Sequence, residues 1–288
     1  MIHFHKYTWL YMLISAIVIG SGLVSVITFG YRFSIDFTGG STLIYKVKNN
    51  INKIDIEKSI SAKKIKIANI DVQQKTIHIQ TSAITDTQEK DIQADIKKIS
   101  KGDVQILRYE TVGPTLGKET GQKTIVAAFI AIAGILIYMS FSFKGFNYAL
   151  AAVLAMVHDF LVVLGSYSIL SKFFGAEFDL MFVTALLTTM SFSVHDTIVI
   201  FDKIREYIGG SKNMANIESL ADKAVTETMV RSLNNSLTIV FMMVSLLLMG
   251  GVTIRFFIAT LLIGTITGTY SSPFIATPIL ILLEKRKK

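Results

Sequence analysis

Six apolar runs constrain this chain more than any other feature: Thr8–Phe29, Thr124–Phe143, Tyr148–Leu170, Leu180–Phe201, roughly Ser236–Val252, and Phe256–Leu283. A helix that crosses a bilayer needs about 20 largely apolar residues, and each run approaches or exceeds that. One water-soluble core cannot absorb them all. The charge content agrees: 17% of the residues are charged, against about 25% in an average soluble domain. The expected fold class is therefore an α-helical membrane protein with six transmembrane helices. The first run, flanked by Lys6 and Arg32, outlasts the roughly 7–15 apolar residues of a signal peptide, and no A-x-A site follows it. It reads as a retained anchor.

Short loops between the runs set an orientation. With the N-terminus in the cytoplasm, the inner side carries Lys6, Lys144, Lys203, Arg205, Lys212, Lys223, Arg231 and a basic tail at 284–288, while the outer short loops carry Lys172 and Arg255. That asymmetry follows the positive-inside rule, which exempts loops longer than about 60 residues. Both termini are expected inside the bacterial cytoplasmic (inner) membrane, and the long loop 30–123 outside. The net charge of +8 sits mostly beside apolar runs, where it implies topology and contact with anionic lipid rather than nucleic acid. There is no cysteine, so disulfides and zinc–thiolate sites are excluded. No metal or other cofactor is expected.

The loop 30–123 has the pattern of a small domain. Ser41–Lys48 alternates like a strand, Ile54–Ile60 has helical spacing, and Lys64–Val72 and Lys75–Thr81 alternate again about a turn at Gln73–Gln74. Thr85–Ser100 places Ile92, Ile96 and Ile99 on one helical face behind a capping Thr85 or Asp86, and Asp103–Val112 closes as a strand. The order β-α-β-β-α-β predicts a ferredoxin-like α+β fold. Further along, 204–230 carries Ile217, Leu220, Ala221, Ala224 and Val225 at helical spacing and is expected to form an amphipathic helix at the inner surface.

Ionisable groups within spans are costly and so point to function. His158 and Asp159 fall near the middle of the third run, and His195 and Asp196 near the cytoplasmic end of the fourth. Asp202 and Lys203 mark the interface itself. Arg231 opens the fifth span, with Asn235 and Thr238 following at i+4 and i+7; Thr184, Thr188, Ser191 and His195 make a second polar stripe on the fourth. A pairing of Asp196 with Arg231 would let burial and a guanidinium oppose each other in setting the carboxyl's proton affinity, so that motion couples to protonation. The alternative for the hydroxyls is that they bond back to helix carbonyls. His158–Asp159 is either a second relay station or a satisfied pair tying spans together. Gly264 and Gly268 form a GxxxG, ahead of Pro273 and Pro278, and are expected to let the last span pack closely on another.

Several segments together resemble the SecF family, the smaller membrane subunits of the SecD–SecF protein-export accessory complex in the resistance-nodulation-division superfamily. They are SIDFTGGS (Ser34–Ser41), VGPTLGKE (Val112–Glu119), His158–Asp159, HDTIVIFDKIRE (His195–Glu206), TMVRS (Thr228–Ser232) and GTYSSPFIATP (Gly268–Pro278). The resemblance implies that Asp196 is the proton-carrying aspartate and Arg231 its partner, and it marks Asp36, Gly39, Gly40, Asp202 and Arg205 as motif positions. His195 stands where the family usually has asparagine, and Lys203 and Tyr207 where arginine and asparagine are common; the first places a second titratable group beside the key acid. The implied activity is use of the proton-motive force to assist ATP-independent movement of preproteins at the outer face of the SecYEG channel. The implied partners are SecD, which would supply the other six-span half, together with SecYEG and YajC.

Two other readings predict different sequences. Half of a small-molecule or lipid exporter of the same superfamily would carry a larger, pocket-bearing outer region and usually twelve spans in one chain. An intramembrane aspartyl protease would need motifs such as GxGD, which is absent, so no enzyme is expected.

Overall fold

The computed structural model describes residues 4–49, 51–73, 75–142, 145–210 and 217–286. Lys144, Lys212, Lys287 and Lys288, which contribute to the charge asymmetry, lie outside the described residues, as does Gln74 of the turn. The chain divides into two compact units, one made of Met1–Tyr31, Ala128–Ala176 and Met181–Lys288, the other of Arg32–Ala127 with Glu177–Leu180.

The first unit is helical. A 3₁₀ turn, Phe4–Tyr7, leads into α1 (Thr8–Phe29). Later in the chain come α5 (Pro114–Ser142), whose part up to Ala127 belongs to the second unit, α6 (Phe146–Phe174), α7 (Leu180–Gly210), α8 (Ile217–Met249) and α9 (Arg255–Ser271). A π-helical turn, Ser272–Ala276, joins α9 to α10 (Thr277–Lys285). Among the described residues, six helical stretches are long and apolar enough to cross a membrane, the last being α9 through α10.

Small residues set the packing. Gly22 of α1 lies so near Gly165 of α6 that a Cβ on Gly22 would come within 2.8 Å of the Gly165 Cα. Ser25 Oγ donates to Ser168 Oγ at 3.0 Å, and Ser168 Oγ to the Gly30 carbonyl at 3.0 Å. Between helices in lipid, close backbone approach and side-chain hydrogen bonds replace the missing hydrophobic drive. The buried apolar cluster joins Met139, Ala152, Met156, Ile200, Phe201, Ile275 and Leu280.

Of the stretch 204–230, residues 211–216 lie outside the described residues; the described parts belong to the end of α7 and the beginning of α8, and the apolar positions Ile204, Ala221, Ala224 and Val225 are buried in the same cluster, with Ile217 packed against it. α5 begins ten residues before the apolar run, because Pro114 suits the first turn of a helix, where its missing N–H is not needed.

The second unit contains β1 (Arg32–Phe33), α2 (Ile35–Thr38), β2 (Gly40–Val47), α3 (Lys53–Ala62), β3 (Ile67–Gln73), β4 (Thr76–Thr81), α4 (Asp86–Ser100), β5 (Val104–Val112) and β6 (Glu177–Phe178). Four strands make an antiparallel sheet in the order β3-β4-β2-β5, and β1 pairs in parallel with β6. Alternation along β4 sends Ile77 and Ile79 inward to meet Leu43, Tyr45, Ile56, Ile60, Ile92 and Ile96. Asn52 caps α3, and Thr85 with Gln88 forms a capping box at α4. The Tyr45 hydroxyl donates to Glu89 Oε1 at 3.0 Å, and burial with that neighbouring carboxylate pushes the phenol well above its usual range.

The two motifs SIDFTGGS and VGPTLGKE meet backbone to backbone in this unit. Gly39, at φ 70°, is so close to Pro114 that a Cβ there would fall 2.6 Å from the Pro114 Cα, and one on Gly117 would fall 2.6 Å from the Gly39 nitrogen. Gly40, at φ 124°, lies against the Thr81 carbonyl. Only glycine accepts both the positive φ and the contact. Asp36 Oδ2 accepts from the Leu180 N–H at 3.2 Å and so caps the first turn of α7.

Candidate functional site

Within the helical unit, α6, α7 and α9 bring a carboxylate and several hydroxyls into a buried network. Asp159 is 4% exposed. Its Oδ1 lies 2.8 Å from His158 Nδ1, while its Oδ2 accepts from Ser271 Oγ at 2.6 Å and also from Ser193 Oγ. Partners from three helices fix this acid in place. The other ring nitrogen, His158 Nε2, is buried without a hydrogen-bond partner among the described residues, and the ring sits 6.5 Å from that of Tyr270.

The close approach of α9 to α7 makes this possible. A Cβ on Gly268 would sit 3.0 Å from Ser193 Cβ, and Gly264 lies directly against Thr189. Beyond them, Pro273 cannot donate a backbone hydrogen bond, and the π-helical turn absorbs the defect. Side chains take over: Ser272 Oγ donates to the Gly268 carbonyl at 3.1 Å, Thr277 Oγ1 to the Ser272 carbonyl at 3.1 Å, and Thr197 Oγ1 lies 2.9 Å from Ser272 Oγ.

Asp196 lies in a different setting. It is half-buried, and Ser232 Oγ of α8 donates to its Oδ2 at 2.9 Å. The contact expected from Arg231 is not made: Arg231, the residue before Ser232 and so about 100° around the helix, is exposed. His195 is exposed too. Beside Asp196 is a cleft lined by Ser193, His195, Asn235, Ser236, Thr265, Gly268 and Thr269, with a void of about 20 Å³, room for one water. Thr269 Oγ1 donates to Ser236 Oγ at 2.7 Å, and Thr265 Oγ1 is buried without a partner among the described residues.

Both polar stripes face outward. Thr188, Ser191 and His195 are exposed along α7, as are Arg231, Asn235 and Thr238 along α8. Of their hydroxyls, Thr188 donates back to the Thr184 carbonyl and Thr238 to the Asn234 carbonyl, at 2.8 and 2.9 Å.

At the other end of α7, Arg205 pairs with Asp202 at 2.7 Å, Lys203 with Glu206 at 3.0 Å, and the Tyr207 hydroxyl donates to Glu227 of α8. These pairs are open to solvent, and screening leaves them little weight in stability. A tie that the sequence did not suggest joins the N-terminal turn to α8: the His5 backbone N–H donates to Asp222 Oδ1 at 3.1 Å, and His5 Nδ1 lies 2.5 Å from Asp222 Oδ2. Among the described residues, no three His, Asp or Glu side chains converge as a metal site requires. Sequence reasoning missed Ser193, Ser232, Thr265 and Ser271 as network residues; the available signal was at Ser193, one turn before Asp196, and at Ser271, two residues before Pro273.

Residues 91–286 match the family described as "Protein export membrane protein SecD/SecF, C-terminal". The protein translocase subunit SecF of Thermobaculum terrenum is 34% identical over 302 residues, covering 99% of this chain and 95% of its own. The chain belongs to the SecF family. SecF of Anaerolinea thermophila is 35% identical, over 96% of this chain and 92% of that one. Among solved structures, a SecDF described as a translocon-associated membrane protein from Thermus superposes on 99% of this chain with a TM-score of 0.87 and 26% identity. SecDF in a super-membrane-facing form covers 98% with a TM-score of 0.67 and 28% identity. The chain spans 39% and 38% of those two SecDF chains. Membership in SecF, with six apolar helices, makes this a multi-pass membrane protein of the translocase.

Proposed function

We propose that this chain is a proton-motive-force-driven auxiliary of Sec-dependent preprotein translocation, working with SecD at the outer face of the SecYEG channel. The observation that carries the reading is the outward polar face of α7 and α8. Arg231, Asn235, Thr238, Thr188, Ser191 and His195 are exposed in the single chain, and polar groups set against hydrocarbon without partners are costly. A second membrane chain must cover that face, and the SecDF matches support SecD as that chain.

In this reading Asp196 carries the proton and the covering chain completes its surroundings. His195 lines the same cleft and Arg231 is exposed next to the Ser232 that bonds Asp196, so a covering chain that excludes water and lipid would bring these groups to bear on the carboxyl. Asp159 and His158 are the second acid station. The unit Arg32–Ala127 is a ferredoxin-like domain outside the membrane, and both termini are in the cytoplasm, as the positive-inside asymmetry requires. The membrane is the bacterial inner membrane. YajC and translocating preproteins are further partners, and the basic inner loops face anionic lipid.

Proteoliposomes containing this chain with SecD and SecYEG, under an imposed proton gradient, test the reading. Asp196→Asn abolishes the gradient-stimulated part of preprotein release, while SecD still copurifies. Full stimulation in that variant overturns it.

A further inference from the structure

The Asp196 carboxyl and the Asp159 network share one helix and one cleft. Ser193 belongs to both: its hydroxyl donates to Asp159 Oδ2, and it lines the void beside Asp196. The void accepts one water, which needs about two to four polar partners, and its walls supply them. Asp196, Asn235, Ser236 and Thr269 line it, and Thr265, 4% exposed, has a hydroxyl with no other partner among the described residues. A buried hydroxyl is costly when left unpaired, and a water in the cleft satisfies it.

We propose that Asp196 and Asp159 are two stations of one proton path, connected by a water held in this cleft and by the Ser193 hydroxyl. In the transfer, Asp196 gives its proton to the water, and the water gives one of its own to Ser193 Oγ. Ser193 then passes its former hydroxyl proton to Asp159 Oδ2. The water and the serine end as they began, and one proton has moved from one carboxylate to the other. His158 Nδ1 is the next acceptor, and its unpartnered Nε2 is the far end of the described chain of groups. The titratable groups that face the path are His158 from α6, His195 from α7 and Tyr270 from α9, while Arg231 of α8 lies on the exposed face instead. This deepens the reading of Asp196 as proton carrier and rests on it.

Ser193 and Ser271 both donate to Asp159 Oδ2, but Ser271 does not line the cleft. That difference separates a bridge from a structural hydroxyl. The experiment is infrared difference spectroscopy of the carboxyl stretch after a pH jump, on this chain co-reconstituted with SecD in liposomes. Bands are assigned by Asp196→Asn and Asp159→Asn. The expected result is that both acids change protonation, and that Ser193→Ala slows the Asp159 band about 100-fold, as loss of a positioned proton-transfer group does. The Asp196 band keeps its rate, Thr265→Val slows Asp159 in the same way, and Ser271→Ala leaves the rate unchanged. Equal rates in Ser193→Ala and Ser271→Ala overturn the bridge, since both variants lose one hydrogen bond to the same oxygen. An Asp159 that never changes protonation while Asp196 responds also overturns the bridge and leaves the reading of Asp196 standing. A silent Asp196 overturns that reading itself.

Discussion

Asp159 and Asp196 are two aspartates of one helical unit, and the chain treats them oppositely. Asp159 has a histidine and two serines from three helices around it and is nearly closed off; Asp196 has Ser232 and borders an open polar face. A buried carboxylate is tolerated where its lone pairs are filled. The first site is therefore complete inside one chain. The second is left open on one side in the single chain, and in the proposed function a second chain completes it.

The largest effect expected from breaking this contrast is on stability. Asp159→Ala removes the acceptor for Ser193 and Ser271 and strands three polar groups between α6, α7 and α9, which costs about 3–5 kcal/mol. Unfolding of the purified chain in mixed micelles measures it. Asp196→Asn in the same assay changes stability by under about 1 kcal/mol, because Asn keeps an acceptor for Ser232.

A half-buried carboxyl between the spanning helices in sequence sharpens the contrast. Burial, reinforced by Asp179 and opposed by Arg108, raises Glu177 from 4.5 to about 7. The folded state thus holds this proton more tightly than the unfolded chain. Stability of the β1–β6 region is highest below pH 4.5 and falls on the order of 3 kcal/mol as pH rises to about 7. Hydrogen exchange of residues 32–38 and 177–180 between pH 5 and 8 follows this slope, and Glu177→Gln flattens it.

Gly264→Val tests the closed side by sterics alone. The added side chain meets Thr189 and pushes α9 from α7, at a cost of about 1–3 kcal/mol. The smallest effect belongs to the open face. Asn235→Leu with Thr238→Val leaves stability of the isolated chain within about 0.5 kcal/mol, yet reduces copurification of SecD. An unchanged yield would mean that this face is not where the partner sits.

Legibility in the sequence follows chain distance. The six apolar runs, the strands of the second unit and the adjacency of His158 with Asp159 are local patterns, and periodicity reveals them. The network around Asp159 joins residues 34 and 112 positions away, and an isolated serine carries no sign of which carboxylate it will meet. Arg231 attracts the expectation of a direct contact because it is the charged member of its segment; one residue's rotation puts Ser232 there instead. Gly22 and Gly165 form no GxxxG in either helix, so their contact leaves no motif. The polar stripes are visible in full. Their direction is not, since periodicity shows that residues share a face but not what the face meets.

Gly39, Pro114 and Gly117 bring the two ends of the second unit's sheet together by main-chain contact. A neck sealed in this way is indifferent to what lies between its two sides. The stretch from residue 41 to 111 is in effect a cassette, whose surface can change without touching the contacts that hold its two ends together. Replacing any of those glycines would unfasten the cassette wholesale, whereas most changes within it would reach only its own surface.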